Sequence, residues 1–293
     1  MKRKKITKIV ACFIAAIMVF SSLPMSVFAM DFDTSKLASN TFMTSKTDYV
    51  VAPGVSETQF TLNDKSGASQ QMGYALEVDL NNPYTSIVTS YKNYDATSWG
   101  LQTVRQQAAA AEKKLGVNVV AGTNGDYYNM QTGAPTGTFV MNNTLYTSNE
   151  NWPYFAIRKD GKAEIGRRTT KAYAESNFKE CIGGPVVLIE DGKITADAAN
   201  ADLMPRCAVG IKADGSVVML VVDGRQFPTS VGQSLRQLAE TMLALGCVDA
   251  LNLDGGGSAT FVSQHEGSDA LECRNSPSDG VERNVSTALL VTC

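Results

Sequence analysis

The sequence contains a single histidine, His265, and no two cysteines at C-x-x-C spacing. A zinc site of several histidines is therefore excluded by count, and a thiolate metal site is disfavoured by spacing. No lysine follows the glycine-rich stretch near the C-terminus, which excludes a P-loop. There is also no G-x-S-x-G motif, so a serine triad would have to use His265. The polar residues around this histidine favour a surface loop instead.

Long apolar runs are also scarce. Five basic residues within positions 2–8 precede an apolar run over residues 9–20, which is shorter than the ~20 residues of a membrane-spanning helix. Small residues follow up to Ala29, and this order predicts a secretory signal peptide over residues 1–29. An uncleaved N-terminal anchor is the alternative. No membrane span is expected after cleavage, and the protein is expected to be secreted or associated with the cell envelope.

Basic residues are outnumbered, with 26 Lys and Arg against 29 Asp and Glu. Residues 1–29 contain five basic and no acidic residues, so the rest of the chain has a net charge of −8. Such a protein repels polyphosphate backbones at long range, which argues against a nucleic-acid partner. Local arginines could still bind a single phosphate group.

Five cysteines lie beyond residue 29. Export permits disulfides, but with an odd number at least one cysteine is free or pairs between chains. Cys247 lies in the apolar stretch 245–253 and is predicted to be a small buried hydrophobe.

The pattern of elements predicts an α+β fold, a single domain with a mixed, largely antiparallel sheet and a few packed helices. Residues 30–65 are expected to form a flexible lead-in, over 30–48, and the first strands. Residues 66–293 are expected to form the catalytic domain. The nearly all-apolar run 217–222 predicts a central strand buried on both faces. Four hairpin turns are predicted, at residues 142–143, 160–161, 191–192 and 214–215.

Two helices are predicted. The first follows Ser98, has apolar residues at helical spacing and ends at Gly116. The second begins at a capping box formed by Ser234 and Gln237 and ends at Gly246.

The strongest functional pattern is an apolar strand that ends in a carboxylate and three glycines, Asp254-Gly255-Gly256-Gly257-Ser258. Successive glycines let backbone N–H groups converge on an oxyanion and leave room for a ligand. Loops at strand ends commonly carry functional residues. The alternative interpretation is a tight turn with a capping aspartate.

A second pattern combines amide, carboxylate and phenol groups at residues 124–129, including Asn124 and Asp126, and Thr136 follows. Polar groups beside aromatic rings suit sugar recognition. An ordinary turn with interior tyrosines is the alternative.

Three arginines form a third pattern. Arg206 lies at the mouth of a buried strand, where an unpaired cation is costly, and it could bind phosphate through two parallel hydrogen bonds. Arg225 follows Asp223 at the end of the next strand, and Arg283 precedes the last strand. Surface ion pairs are the alternative interpretation for each.

These motifs occur together in a fixed order: Gly183-Gly184-Pro185, Pro205-Arg206-x-Ala208-x-Gly210, Val222-Asp223-Gly224-Arg225, Asn252 to Ser258, and Arg283-x-Val285. The set resembles the phosphodiester glycosidase family over roughly residues 75–293. The resemblance implies hydrolysis of an α-glycosyl phosphodiester, with a sugar-phosphate or envelope glycan as the partner. It fixes neither the sugar nor the alcohol.

The chemistry of such a substrate suggests roles. A phosphate monoester leaves more readily than an alkoxide, so the reaction needs a carboxylate and cations rather than a strong general acid. We expect Asp254 to be the central carboxylate, with Asp126 and Asp223 as further catalytic candidates. Expected substrate-binding residues are Asn124, Thr136, Arg206, Arg225, Gly255, Gly256, Gly257, Ser258 and Arg283.

Two other functions remain open. Asp126, Asp223 and Asp254 could bind a hard divalent cation for metal-assisted cleavage of the P–O bond. The glycosidase reaction itself requires no cofactor. The third alternative is a non-catalytic module that binds teichoic-acid-like or other envelope polysaccharides.

Overall fold

The structure is a computed structural model that describes residues 29–67, 69–265 and 267–293. The predicted signal peptide, apart from Ala29, lies outside the described residues. Within the described ranges, no helix is long and apolar enough to cross a membrane.

The largest sheet contains eight strands, and every pairing in it is antiparallel. In spatial order its strands are β1 (Thr41–Ala52), β2 (Val55–Asp64), β3 (Gln71–Val78), β14 (Val217–Val222), β13 (Arg206–Lys212), β15 (Cys247–Asn252), β11 (Val186–Glu190) and β12 (Lys193–Ile194).

Two five-stranded sheets, also antiparallel, complete the fold. In spatial order, one consists of β7 (Thr144–Thr147), β6 (Phe139–Met141), β10 (Phe178–Gly183), β8 (Tyr154–Arg158) and β9 (Ala163–Gly166). The other consists of β17 (Glu272–Cys273), β16 (Phe261–Ser263), β5 (Val119–Asn124), β18 (Thr287–Thr292) and β4 (Ser86–Tyr91).

Among the described residues, three α-helices pack on the sheets. Helix α1 (Val104–Leu115) begins at Thr103, five residues after the predicted start, and ends at Gly116, whose φ of 70° is left-handed. Helix α3 (Leu235–Ala244) has the predicted capping box. The short α2 (Lys171–Asn177) was not predicted. It has a single buried residue, so it lacks the apolar stripe that identifies a helix in a sequence.

The predicted α+β class is confirmed, as are all four hairpin turns. Asn142 and Asn143 have φ angles of 47° and 65°, the left-handed values that two-residue hairpins require. The predicted central strand is β14, in which all six residues are buried.

Strand β14 separates two hydrophobic cores. Val217, Met219 and Val221 face the core that contains α1 and the sheet of β5 and β18. The intervening residues 218, 220 and 222 face the core that contains α3. This two-residue alternation explains why an all-apolar strand is stable here, since both faces are covered.

The predicted flexible lead-in at residues 30–48 is wrong for most of its length. A 3₁₀ turn forms at Thr34–Lys36 and β1 starts at Thr41, while Met30 and Leu37 are buried in the α3 core. The Ser, Thr and Lys residues belong to an exposed edge strand paired with β2. An edge strand can be polar and still be ordered by its backbone hydrogen bonds.

The environment of Cys247 matches its prediction, whereas that of His265 matches only in part. All five described cysteines are free thiols, and Cys247 is buried as predicted. His265 lies in a loop, as expected, but it is not a free surface residue. Its ring stacks on Tyr49 at 4.3 Å between centroids, and Nε2 lies 3.2 Å from the buried Glu57 carboxylate.

A buried carboxylate joins two of the sheets. Glu180 in β10 accepts hydrogen bonds at Oε2 from the N–H of Thr89 at 3.1 Å, from its hydroxyl at 2.7 Å and from the N–H of Asn142 at 3.2 Å. Burial raises the pKa of Glu180 to about 7, although these hydrogen bonds oppose the shift.

We expect Glu180→Ala to lower the free energy of unfolding by at least about 2 kcal/mol, because each buried donor left unpaired costs ~1–3 kcal/mol. Urea denaturation measures this. Glu180→Gln keeps an acceptor oxygen and is the matched control, with a smaller expected loss. Equal losses in the two variants would show that hydrogen-bond acceptance is not what stabilises this junction.

Candidate active site

The candidate site lies where the ends of three strands meet. Strand β15 ends at Asn252, and the backbone N–H of Asp254 then donates to the carbonyl of Gly125, just beyond β5, at 3.0 Å. The N–H of Gly256 donates to the carbonyl of Pro205, just before β13, at 2.9 Å. Asp254 is therefore fixed between two sheets.

A cavity of about 310 Å³ opens at this junction. Asp254 lines it together with the three arginines that the sequence singled out. The complete lining is Tyr127, Asn200, Asp202, Met204, Pro205, Arg206, Arg225, Asp254, Gly255, Gly256, Gly257 and Arg283.

Asp254 has an unusual electrostatic environment. Burial raises the pKa of its carboxyl group to about 6. Hydrogen bonds from the Ser258 hydroxyl and the Gly255 N–H, together with the positive charge of Arg283, oppose the shift. The carboxyl group is therefore mostly ionised at neutral pH, and it becomes protonated as the pH falls through about 6.

Arg206 is buried and rigidly positioned. Its Nε donates to the carbonyl of Gln233 at 2.9 Å, and Nη2 donates to the carbonyl of Asp202 at 2.8 Å and to Oδ1 of Asn200 at 3.3 Å. No carboxylate within the described ranges forms a salt bridge with it. Burial lowers the pKa of this guanidinium group. Such a cation gains from an anionic ligand, because no carboxylate among the described residues pairs with it directly.

The other two arginines differ in their partners. Arg225 is exposed, with Nη2 3.2 Å from the Met204 sulfur and, as far as the described residues show, no carboxylate partner. Arg283 pairs with Asp279 through Nε at 2.7 Å and Nη2 at 2.6 Å. The cavity thus contains two cations without an acidic partner and one that is already paired.

The glycines contribute mainly space. The N–H of Gly256 is bonded to Pro205, and that of Gly255 to the Asp254 carboxylate, so the predicted triple N–H cradle for an oxyanion is wrong. At most, Gly257 can offer its N–H to a ligand. Any side chain at Gly257 would collide with the Arg283 guanidinium group, so glycine there lets Arg283 reach the cavity. Ser258 lies outside the cavity lining but hydrogen-bonds Asp254.

Two of the expected sugar-binding residues do not face the cavity. Asn124 is fully buried, and Nδ2 donates to the carbonyl of Asp254 at 2.7 Å while Oδ1 accepts from the N–H of Thr260 at 3.0 Å. It therefore positions Asp254 instead of binding a ligand. Thr136 is exposed and its backbone N–H bonds to Tyr127, but it does not line the cavity.

Asp126 lies behind the cavity wall. Its Oδ2 accepts from the N–H of Gly137 at 2.6 Å and Oδ1 from the indole of Trp152 at 3.4 Å. Burial raises the pKa of Asp126 to about 7, and the negative charge of Asp254 adds to the shift. The carboxyl group senses Asp254 electrostatically but does not line the cavity, so the structure gives it no direct contact with a substrate.

Asp223 is likewise an internal residue. Its Oδ1 accepts from Nδ2 of Asn275 at 2.9 Å, and Oδ2 accepts from the N–H of Ser276 at 3.0 Å. Burial raises the pKa of Asp223 to about 6. The carboxylate anchors the 275–276 loop and is absent from the cavity lining, so the structure gives the predicted catalytic role no direct contact with the cavity.

The three acidic residues considered as metal ligands do not converge. Across the described part of the chain, no group of three or more His, Cys, Asp or Glu side chains could hold a metal ion. Asp126 and Asp223 instead use their oxygens on internal N–H donors. The residues proposed for metal-assisted cleavage thus do not form a ligand set.

Sequence reasoning missed several lining residues. Asn200 and Asp202 come from a polar loop before β13 that has no motif, and they reach the cavity only through the folded chain. Tyr127 belongs to the predicted pattern at residues 124–129. Its side chain lines the cavity, whereas the carboxylate of the neighbouring Asp126, for which we predicted a role, does not. Met204 and Pro205 directly precede Arg206, so the arginine motif was a usable signal for them.

A sequence model of the family described as phosphodiester glycosidase matches residues 117–292. The chain belongs to this family. The match includes the Asp254 loop, all three arginines and the residues of β5, β13 and β15, so the whole cavity lies within it.

Individual relatives agree with this membership. The N-acetylglucosamine-1-phosphodiester alpha-N-acetylglucosaminidase of Bos taurus is 30% identical over 179 residues, 54% of this chain and 34% of that protein. The enzyme of the same name from Homo sapiens is 28% identical over the same length. The chain thus spans about a third of the length of these curated relatives.

The fold is shared with a solved structure. The zebrafish enzyme's catalytic domain, described as auto-inhibited by its pro-peptide, has a TM-score of 0.63 and 22% identity. The likeness covers 86% of this chain and 88% of that one. At this identity the likeness shows the fold alone.

We expect Gly257→Ala to weaken inorganic phosphate binding about threefold, because the added Cβ displaces the Arg283 guanidinium group and removes one of the three positive charges that line the cavity. Isothermal titration calorimetry measures the affinity. The melting temperature should change little, since the colliding atoms belong to the end of a flexible side chain. Unchanged phosphate affinity would contradict the role given to Gly257.

Proposed function

We propose that this protein hydrolyses the bond between sugar C1 and the phosphate oxygen of a glycosyl phosphodiester. The observation that carries the proposal is the shared cavity of Asp254 and the arginines. Arg206 and Arg225 line it without a carboxylate partner among the described residues, and Asp254 is the acidic group at the strand end beside them. This arrangement places a carboxylate next to a binding site for an anion.

The proposed substrate is an N-acetylglucosamine-1-phosphodiester-like glycan of the cell envelope. The names of the curated relatives support the sugar phosphodiester. The signal-peptide pattern of residues 1–29 supports a location outside the cytoplasm. Both points go beyond family membership and remain proposals.

In the proposed reaction the C1–O bond breaks and its electron pair leaves with the phosphate oxygen. A hydroxyl group from water ends on C1, and the water's second proton is released. The products are a free sugar and a phosphate monoester of the alcohol. The leaving phosphate is already a weak base, so its departure depends on cations more than on a proton donor.

Asp254 is the group that attacks C1 or activates the water. Arg206 is the main phosphate ligand, because its Nε and Nη2 are fixed by carbonyls while Nη1 forms no hydrogen bond within the described structure. Arg225 adds a second positive charge. Arg283 stabilises the ionised form of Asp254 and contacts the phosphate if Asp279 releases it.

The first test is release of free sugar from α-N-acetylglucosamine-1-phosphodiesters by the purified protein. We expect Asp254→Asn to reduce kcat by roughly 10²–10⁴-fold, because the amide cannot act as a nucleophile or base. Asp249→Asn, on the strand β15 that leads to Asp254 but outside the cavity, is the matched control and should retain activity. Calorimetry showing saturable binding without turnover would favour the non-catalytic binding module.

The pH profile provides a second test. Because burial raises the pKa of Asp254 to about 6, its carboxyl group is protonated and inactive below that value. We therefore expect kcat/KM to fall about tenfold per pH unit as the pH is lowered below 6, and to be level just above it. If kcat/KM instead fell only near pH 4, the ordinary pKa of an aspartate, the proposed effect of burial on Asp254 would be contradicted.

We expect Arg206→Lys to raise KM and lower kcat/KM by about tenfold or more. Lysine keeps the charge but cannot bond the carbonyls of Gln233 and Asp202 while also directing an N–H donor at the phosphate, as Arg206 can through Nη1. Arg236→Lys, on the exposed face of α3 and paired with Glu240, is the control. Equal kinetics in both variants would remove Arg206 from phosphate binding.

A further inference from the structure

Exposed apolar side chains occur in the loops that line the cavity. Tyr127, which lines it, is 38% exposed. Leu203 is 43% exposed and lies between Asp202 and Met204, which both line the cavity. Isolated exposed hydrophobic residues are ordinary, but their grouping at a cavity is not.

Two further segments add to this apolar rim, which we define as Tyr127, Leu203, Phe227 and Val281. Phe227 is 76% exposed and follows Arg225 by two residues. Val281 is 69% exposed and precedes Arg283 by two residues. Two residues span at most ~7.6 Å between Cα atoms, so both lie close to a lining arginine. Four separate loops of the cavity thus each have an exposed apolar side chain that either lines it or lies within two residues of a lining residue.

The cavity itself is small and polar. Its volume of about 310 Å³ is at the lower end of the range for small-molecule sites, ~300–1,000 Å³. A sugar and a phosphate group would use most of this space. The polar lining from Asp254, Asn200 and Asp202 suits the sugar hydroxyls. The alcohol part of a diester must then extend outward, across the rim.

The net charge of the chain helps to decide whether a membrane surface or a single ligand covers the apolar rim. The full sequence has a net charge of −3, so an anionic membrane surface would repel the protein as a whole. A single anionic group at the arginines with an apolar chain attached meets no such repulsion. The combination of a cationic cavity and an apolar rim therefore fits one amphiphilic ligand better than a lipid surface.

We propose that the alcohol half of the substrate is a hydrocarbon chain that packs on the apolar rim. This inference rests on the proposed function for the position of the phosphate. It adds the class of alcohol, which neither the family nor the relatives specify. Phe227, the most exposed member of the rim, is the main specificity-determining residue for the chain.

The test uses alkyl phosphates, which are the monoester products of the proposed reaction and bind whether or not catalysis occurs. Methyl, butyl and hexyl phosphate are titrated by calorimetry at concentrations where they are monomeric. Full burial of one methylene strengthens binding about fourfold, so we expect Kd to fall two- to fourfold per added methylene.

Phe227→Ser should reduce the gain in binding free energy per added methylene by at least half. Tyr84→Ser is the matched control, because Tyr84 is 78% exposed and lies outside the cavity lining. Its titrations should equal those of the wild-type protein. The rim proposal is overturned if Kd is independent of chain length in the wild-type protein, or if Phe227→Ser keeps the full dependence.

Turnover of the methyl diester of α-N-acetylglucosamine 1-phosphate separates the rim proposal from the proposed hydrolase function. If chain length strengthens binding but no diester is cleaved, the rim is supported and the hydrolase function fails. If the methyl diester is cleaved and chain length has no effect, the function is supported and the rim fails. Tight association with anionic vesicles, with no dependence on chain length for monomeric ligands, would also overturn the rim proposal.

Discussion

The position of Asp254 depends on the buried amide of Asn124. This side chain donates to the carbonyl of Asp254 and accepts from the N–H of Thr260, so it spans both ends of the glycine-rich loop from the neighbouring sheet. The Asn124 side chain is fully buried, where an unpaired polar group is costly. The loop between these two hydrogen bonds can therefore consist of glycines and still have a defined shape. The carboxylate is held by the fold, and the glycines leave space in front of it.

The second constraint is the imbalance of charge in the cavity. Arg206 is buried, and its hydrogen bonds go to carbonyl oxygens and an amide instead of carboxylates. Such an arrangement orients the guanidinium group without neutralising it, and the free protein bears the cost of the unpaired charge. The raised pKa of Asp254, about 6, has the same origin, since both groups are removed from water. A phosphodiester would supply the missing negative charge beside Arg206 and Arg225 while leaving the Asp254 carboxylate free to react.

Local patterns in the sequence predicted the local structure well. The capping box at Ser234, the left-handed Asn142-Asn143 turn and the buried β14 depend on neighbouring residues or on a two-residue alternation, and all three were found. The carboxylate at the end of β15 and the arginine motif also lie in one cavity, as expected. What the sequence could not specify was the direction of each side chain beyond a strand end. Asp126 and Asp223 point inward and bond internal donors, because the packing between sheets decides this. The loop with Asn200 reaches the cavity through tertiary contacts that leave no local signal.

The account's central claim is that the sugar C1–O bond breaks while the phosphate ester stays intact. Hydrolysis in water enriched in heavy oxygen, followed by mass spectrometry of both products, tests it most directly. We predict that the label appears on the sugar and that the phosphate monoester remains unlabelled. Label in the phosphate would place the attack at phosphorus, contradicting the roles assigned to Asp254 and the arginines.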